Sequence, residues 1–393
     1  MDWKKELHDG EAAFNRGQYK QAVALLDSVL PECEKAGPKR DLFNCLFVLG
    51  RTYSKLAKYT DSAVLLRRAA ELASKEFGSS SVELAAAKGA LGYDFIFEEK
   101  YAEAESLLNE ALELIRQQVG SETKEAAETF SSLARLKLQE DRVEEALALF
   151  TKSLGIREHI LGTDSAIYAE TLVNLGEVHL RKRNNDSADV LLKRAVRVLE
   201  GFGEDNANLA MALHQRATQM LERGRYSQAA QDWQRAIPII ERTLSDDHPI
   251  LIGSLNGLGT CKLRSFELQE AKPKFERAFN LAEKNRSHPN STLTSALGLG
   301  MCLASEHNHK AAEPLFERAK QLFQETETNH SERSILDNLL ACYLLQGKFG
   351  KAITLLPDQL RMSNESHLKR YVNLLNTITD LGERHAWKKS DEP

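Results

Sequence analysis

The stretch KYAEAESLLNEALEL, Lys100–Leu114, places a tyrosine three residues before Ala104 and a second small residue, Ala111, seven after it. Similar spellings recur: QYKQAVALLDSVL from Gln18, RYSQAAQDWQRAI from Arg225 and KFGKAITLLPDQL from Lys348. The small anchor returns as Ala22, Ser62, Ala104, Ala146, Ala188, Ala229, Ala271, Ala312 and Ala352, a period of 40 to 42 residues. Four residues after each anchor stands a large apolar side chain: Leu26, Leu66, Leu108, Phe150, Leu192, Trp233, Phe275, Phe316 or Leu356. Seven after it stands a second small residue in copies two to eight, from Ala69 to Ala319, with Val29 and Gln359 as the exceptions. Steps of four and seven lie on one face of a helix, where small residues admit a neighbouring helix and the large one fills the space beside them.

Ahead of each such helix the chain writes a second one. It carries Leu-Gly or a near variant: Leu49-Gly50, Leu91-Gly92, Leu133-Ala134, Leu175-Gly176, Leu258-Gly259 and Leu299-Gly300. Glycine inside a helix costs about 1 kcal/mol relative to alanine, so its return at one place marks a point where two helices nearly touch. Gly78, Gly120, Gly162 and Gly203 each follow an apolar residue and read as helix stops. Asp247-His248-Pro249 and Ser287-His288-Pro289 read as helix starts. The pattern predicts about nine helix–turn–helix units over residues 1–362, none able to bury its apolar face alone, stacked into one all-α solenoid. Residues 363–393 read as a capping amphipathic helix, with Leu368, Tyr371, Leu375, Ile378 and Leu381 on its stripe, and a short polar tail.

Leu-Gly, the Gly17-Gln18-Tyr19 and Gly224-Arg225-Tyr226 turns and the paired small residues resemble the tetratricopeptide repeat. The 40–42-residue period is similar to the longer variety of kinesin light chains. Those proteins carry a heptad coiled coil ahead of their repeats, whereas here the first repeat is under way by Trp3, so a kinesin light chain itself is not expected. The resemblance implies a right-handed superhelix whose first helices line a concave, peptide-binding face. Helical steps of four, three and four along those helices give the candidate residues: Arg51, Lys55, Tyr93, Phe97, Arg135, Asn174, Glu177, Arg181, Asn256, Gly257, Arg264 and Asn338. The asparagines suit recognition of an extended backbone, because an amide donates and accepts at once. Gly253, Gly257 and Gly298 are expected to open space for a bound peptide between Arg264 and Asn174 with Arg181. The family's clamp for a chain terminus is absent, since Lys4 pairs with His8, Asn44 with Val48 and Ala86 with Ala90 at its positions.

The rest of the sequence narrows the function by what it omits. A net charge of −5 gives no footprint for nucleic acid. No run of eighteen apolar residues suggests membrane insertion, and the N-terminal stretch lacks a secretion signal, so a cytoplasmic location is expected. The five cysteines form no Cys-x-x-Cys pair and read as reduced thiols. Gly257-Leu258-Gly259 lacks the third glycine of a dinucleotide loop, and His307-Asn308-His309 lacks further ligands for a metal. Neither a nucleophile–base pair nor a phosphate loop is legible, so no enzyme and no cofactor is expected. Lys152, Arg194, Arg235, Arg277 and Arg318 recur one before the second small residue and read as a solvated face balanced by glutamates. The expected function is a protein–protein interaction scaffold or adaptor with a protein or peptide partner. The competing readings are a self-assembling structural scaffold, with homo-oligomerisation, and a peptide-sensing regulator.

Overall fold

The computed structural model describes residues 3–285, 289–326 and 332–361, with the side chains of Ala36, Asn285 and 356–361 left aside. Among these residues there are eighteen helices and no strand. They run in nine pairs: α1 (Trp3–Asn15) with α2 (Tyr19–Ala36), α3 (Lys39–Lys55) with α4 (Tyr59–Glu76), α5 (Val82–Phe97) with α6 (Tyr101–Val119). Next come α7 (Lys124–Gln139) with α8 (Val143–Leu161), α9 (Ala166–Arg181) with α10 (Asn185–Glu200), and α11 (Ala207–Glu222) with α12 (Tyr226–Thr243). The last are α13 (Pro249–Arg264) with α14 (Leu268–Asn285), α15 (Pro289–Ser305) with α16 (His309–Glu325), and α17 (Glu332–Leu345) with α18 (Phe349–Arg361). None of the described helices is long and apolar enough to cross a membrane. The chain divides into two compact units, Met1–Ser254 and Leu255–Pro393, at a point inside α13. The capping helix expected after residue 362 lies outside the described residues.

Each second helix begins three residues before its anchor, whatever the side chain there: Tyr19, Tyr59, Tyr101, Val143, Asn185, Tyr226, Leu268, His309 or Phe349. Two residues earlier the backbone takes a positive φ in every copy. Glycine supplies it at Gly17, Gly224 and Gly347, and Ala57, Glu99, Asp141, Arg183, Phe266 and His307 supply it elsewhere. The turn geometry is therefore fixed by the packing of the two helices, and glycine is only its easiest solution. Between repeats, the predicted stops at Gly78, Gly120, Gly162 and Gly203 all have positive φ. Three residues on, Ser81, Thr123, Ser165 and Asn206 cap the next helix by accepting from Leu84, Ala126, Tyr168 and Asn208 backbone N–H groups.

The periodic face is the core. All nine anchors are fully buried, as are the second small residues from Ala69 to Ala319. The described large residues, Leu26 to Phe316, are at most 1% exposed, each contributing about 1.5–3 kcal/mol by burial. The Leu-Gly glycine lies over this large residue of its own repeat. A Cβ on Gly50 would stand 2.9 Å from Leu66, on Gly92 2.8 Å from Leu108, on Gly176 2.8 Å from Leu192 and on Gly300 2.7 Å from Phe316. Ala134 and Ala217 take the same place in their copies. The cysteines are free and buried, small packed residues with no disulfide.

Within the first unit, the sixth pair of helices returns to the first. The Ala207 N–H donates to the Gly17 carbonyl at 3.1 Å, the Tyr19 hydroxyl to Asn208 Oδ1 at 3.3 Å, and Lys20 Nζ to the Glu241 carbonyl at 2.8 Å and Asp246 at 2.7 Å. Ser245 Oγ reaches the Leu56 carbonyl at 3.5 Å. Gly17 has φ +73°, and a Cβ there would meet Asn206 Oδ1 at 2.6 Å, so the closest approach of this seam requires glycine.

Candidate functional site

Because the turn between α1 and α2 meets the start of α11, the inner helices of the first unit surround a cavity of about 590 Å³. Its wall is built from α1, α3, α5, α7 and α9, with Arg157 and Leu161 from α8, Phe202 from the α10–α11 loop, and Asn208 from α11. Ala86, Gly89 and Ala90 keep the α5 wall low, and Tyr93 rises beside them. Tyr93 tilts against Phe97, with ring centroids 5.1 Å apart, and Phe97 stacks on Tyr59 at 4.6 Å. Burial pushes the Tyr93 phenol above its ordinary range.

The wall charges brace repeats that are far apart in sequence. Lys55 of α3 donates to Glu170 of α9 at 2.6 Å, and Arg51 of α3 pairs with Glu128 of α7. Arg135 reaches Glu177 at 2.7 Å and Asn174 Oδ1 at 2.6 Å. Arg181 donates to the Leu138 carbonyl at 2.6 Å and stands 3.5 Å from Glu177. Burial pushes the Glu170 carboxyl up, but Lys55 and the nearby Arg157 and Arg51 outweigh it and hold the group at about 2. Burial pulls the Lys55 ammonium down, and Glu170 more than restores it, leaving it raised. Each of these cations meets a carboxylate, so the network is largely self-neutralised.

Of the candidate residues, Arg51, Lys55, Tyr93, Arg135 and Asn174 line this one cavity, and Glu177, Arg181 and Phe97 join it through bonds or ring contacts. Asn256, Gly257, Arg264 and Asn338 belong to the second unit. There Asn256 Nδ2 donates to the Ser291 carbonyl, Asn338 Nδ2 donates within its own helix to Ser334, Gly257 is buried and Arg264 is exposed. The space expected at Gly253 and Gly298 is already taken. A Cβ on Gly253 would lie 3.1 Å from His214 Cε1, and one on Gly298 would collide with the Phe275 ring. Both glycines admit a side chain of the preceding repeat, so they are packing positions. The outer basic residues are likewise engaged: Arg235 with Glu200 and Glu204, Arg318 with Glu283, and Lys152 and Arg194 over the Phe130 and Tyr168 rings.

Sequence reasoning missed Phe14, Tyr19, Arg157, Leu161, Ile167, Phe202 and Asn208. Tyr19 and Asn208 enter the wall only through the seam, which has no local signature. Arg157 did leave a signal. Eleven residues after the anchor six of the other copies carry Cys33, Ala73, Ile115, Leu199, Ile240 and Ala282, all buried and apolar. An arginine in that place breaks the repeat.

Eighteen helices in consecutive packed pairs, small residues at the pair contacts and a walled inner face define a helical repeat protein. The sequence profile of the tetratricopeptide repeat matches residues 125–201, 208–284 and 291–365, more than half of the chain. The chain belongs to the tetratricopeptide repeat family, whose repeats generally mediate protein–protein interaction. Sequence comparison with curated proteins finds no match. Among solved structures, the fold is similar to a STAND signal-transduction ATPase with a tetratricopeptide repeat sensor from Pyrococcus horikoshii, at a TM-score of 0.63 and 16% identity. That likeness covers 92% of this chain and 53% of the ATPase, so the chain spans about half of its length. BtubC (BKLC) from P. vanneervenii is 18% identical over 60% of this chain and 95% of its own, with a TM-score of 0.48. A putative kinesin light chain with nearly identical TPR-like repeats from Podosopora anserina is 20% identical over 53% of this chain and 99% of its own, with a TM-score of 0.43.

Proposed function

We propose that the chain is a non-enzymatic interaction scaffold that holds a peptide or protein segment inside the chamber of its first unit. The observation that carries this reading is the cavity itself, about 590 Å³, within the roughly 300–1,000 Å³ of sites that bury most of a ligand. Its wall mixes exposed apolar groups with charges already held in place, so little ordering remains to oppose binding. The partner is a protein or peptide, without nucleic acid or membrane insertion, and the free buried thiols fit the cytoplasm. The test fills the chamber from its low side. Ala90→Trp places an indole in the cavity and is expected to abolish capture of a randomised hexapeptide pool by the full chain, while circular dichroism and the melting midpoint report an intact fold. Capture undiminished by a folded Ala90→Trp protein refutes the chamber as the site.

A further inference from the structure

Arg157 stands where six other repeats bury an apolar side chain, and it is itself only 6% exposed. A guanidinium cannot shed its charge at any ordinary pH, so burial there is unfavourable unless an acceptor meets it. Nη1 donates to Thr171 Oγ1 at 2.5 Å and to the Ile167 carbonyl at 3.2 Å. Both acceptors are neutral. Among the described residues no carboxylate pairs with Arg157 and no bond engages its Nε or Nη2. The other cations of the wall differ: Arg51, Lys55, Lys124 and Arg135 each have a carboxylate partner. The two acids that influence Arg157 most, Glu170 and Glu128, are already bonded to Lys55 and Arg51. A planar fork lacking its anion, at the wall of a cavity, is suited to a carboxylate held by two parallel N–H···O bonds.

Beside this fork the wall turns apolar. Leu161, Ile167 and Phe202 line the same cavity and remain 39%, 47% and 43% exposed. Ile167 is the residue whose carbonyl Arg157 already holds, so fork and apolar surface are contiguous. A cavity of about 590 Å³ has room for only a few residues, so the part of a chain best suited to it is an end. The group a peptide end carries is its α-carboxylate.

We propose that Arg157 anchors the C-terminal carboxylate of a peptide whose last side chain is apolar and covers Leu161, Ile167 and Phe202. The assignment rests on the chamber being the binding site. It lies on a second helix, outside the first-helix face read from the sequence.

Randomised hexapeptides, acetylated at the N-terminus, are offered to the full chain as two pools, free acids and C-terminal amides, and the captured peptides are sequenced by mass spectrometry. The wild-type chain is expected to retain the acid pool at least tenfold over the amide pool, enriched in Leu, Ile, Val or Phe at the last position. Arg157→Gln should erase the acid preference, and Arg157→Lys should restore part of it. The acid-to-amide ratio on the wild-type chain needs no variant, so a poorly folding substitution leaves the test intact. Equal retention of the two pools, with capture still lost in Ala90→Trp, overturns the carboxylate anchor and leaves the chamber standing. Amides enriched in internal Asp or Glu overturn the terminal assignment in favour of a side-chain carboxylate. Capture that survives Ala90→Trp, or no capture from either pool, overturns both readings.

Discussion

Lys55 and Glu170 join the second and fifth repeats across the chamber, so Glu170→Gln removes a brace between elements 115 residues apart. The carboxyl group titrates at about 2 in place of 4.5. Each factor of ten in proton affinity is worth about 1.4 kcal/mol, which sets a ceiling of about 3 kcal/mol. The paired side chains keep 19% and 32% of their exposure, and screening by that solvent lowers the expected loss to about 1.5 kcal/mol. In a unit of this size, such a loss moves the melting midpoint by about 3–6 °C. The sign with pH follows from a depressed carboxyl. Its contribution is complete above about 4.5 and disappears as pH falls towards 2. Thermal melts of wild type and Glu170→Gln at pH 7, 5, 3.5 and 2.5, followed by circular dichroism, should differ almost equally at pH 7 and 5, less at 3.5 and by only about a quarter of the neutral-pH difference at 2.5. Other carboxyl groups protonate in both proteins and cancel in the difference. Equal midpoints at pH 7, or a difference as large at pH 2.5 as at pH 7, would refute the brace.

Phe266 is 89% exposed with φ +61°, so Phe266→Gly should relieve backbone strain and stabilise the second unit by about 1 kcal/mol, read as a higher midpoint. Gly17→Val forces a branched side chain into a positive φ against Asn206 and should cost about 2 kcal/mol. Its specific sign is faster hydrogen exchange at the Ala207 amide, and unchanged protection there would contradict the seam. Asp94 is fully buried, accepts from Ser54 at 2.5 Å, and is pushed by burial up to about 7. Its penalty grows as pH rises from about 4 to above 7, so Asp94→Asn should stabilise by about 2 kcal/mol at pH 8 and by little at pH 4. Trp233 is 1% exposed and donates to His214 Nδ1 at 3.2 Å, so Trp233→Ala should cost about 3–5 kcal/mol, concentrated by hydrogen exchange in α11 and α12.

The fold was legible because a repeat states the same constraint many times. The large residue at Leu66 or Phe316 and the glycine above it form a contact within one repeat, and local contacts leave periodic marks in sequence. What the periodicity could not give is how the small rotation from each repeat to the next accumulates. Five such rotations bring Gly17 against Ala207, and no residue near either position announces the meeting. The glycines at 253 and 298 show the reverse error. A glycine on an inner face is ambiguous until the side chain opposite is placed, and here His214 and Phe275 occupy the space.

The same reasoning locates where a repeat protein's individuality is written. Positions that follow the repeat build the solenoid and say little about its ligand. Positions that break it, without a packing reason, carry information the fold does not need. Ala134 and Ala217 replace glycine and still satisfy the helix contact, so they carry none. Arg157 replaces a buried apolar residue by a permanent cation bonded only to Thr171 and the Ile167 carbonyl. Burial holds its proton affinity below the ordinary arginine range, which is the mark of a charge poorly compensated within the chain. Substituting the repeat's own solution, Arg157→Leu, should therefore leave stability unchanged or raise it by about 1 kcal/mol or more, as hydrophobic replacement of buried charges often does. A structural role for Arg157 requires the opposite, a loss of several degrees in melting midpoint. If Arg157→Leu melts at or above the wild type while losing peptide capture, the arginine is kept for the ligand and at the expense of the fold.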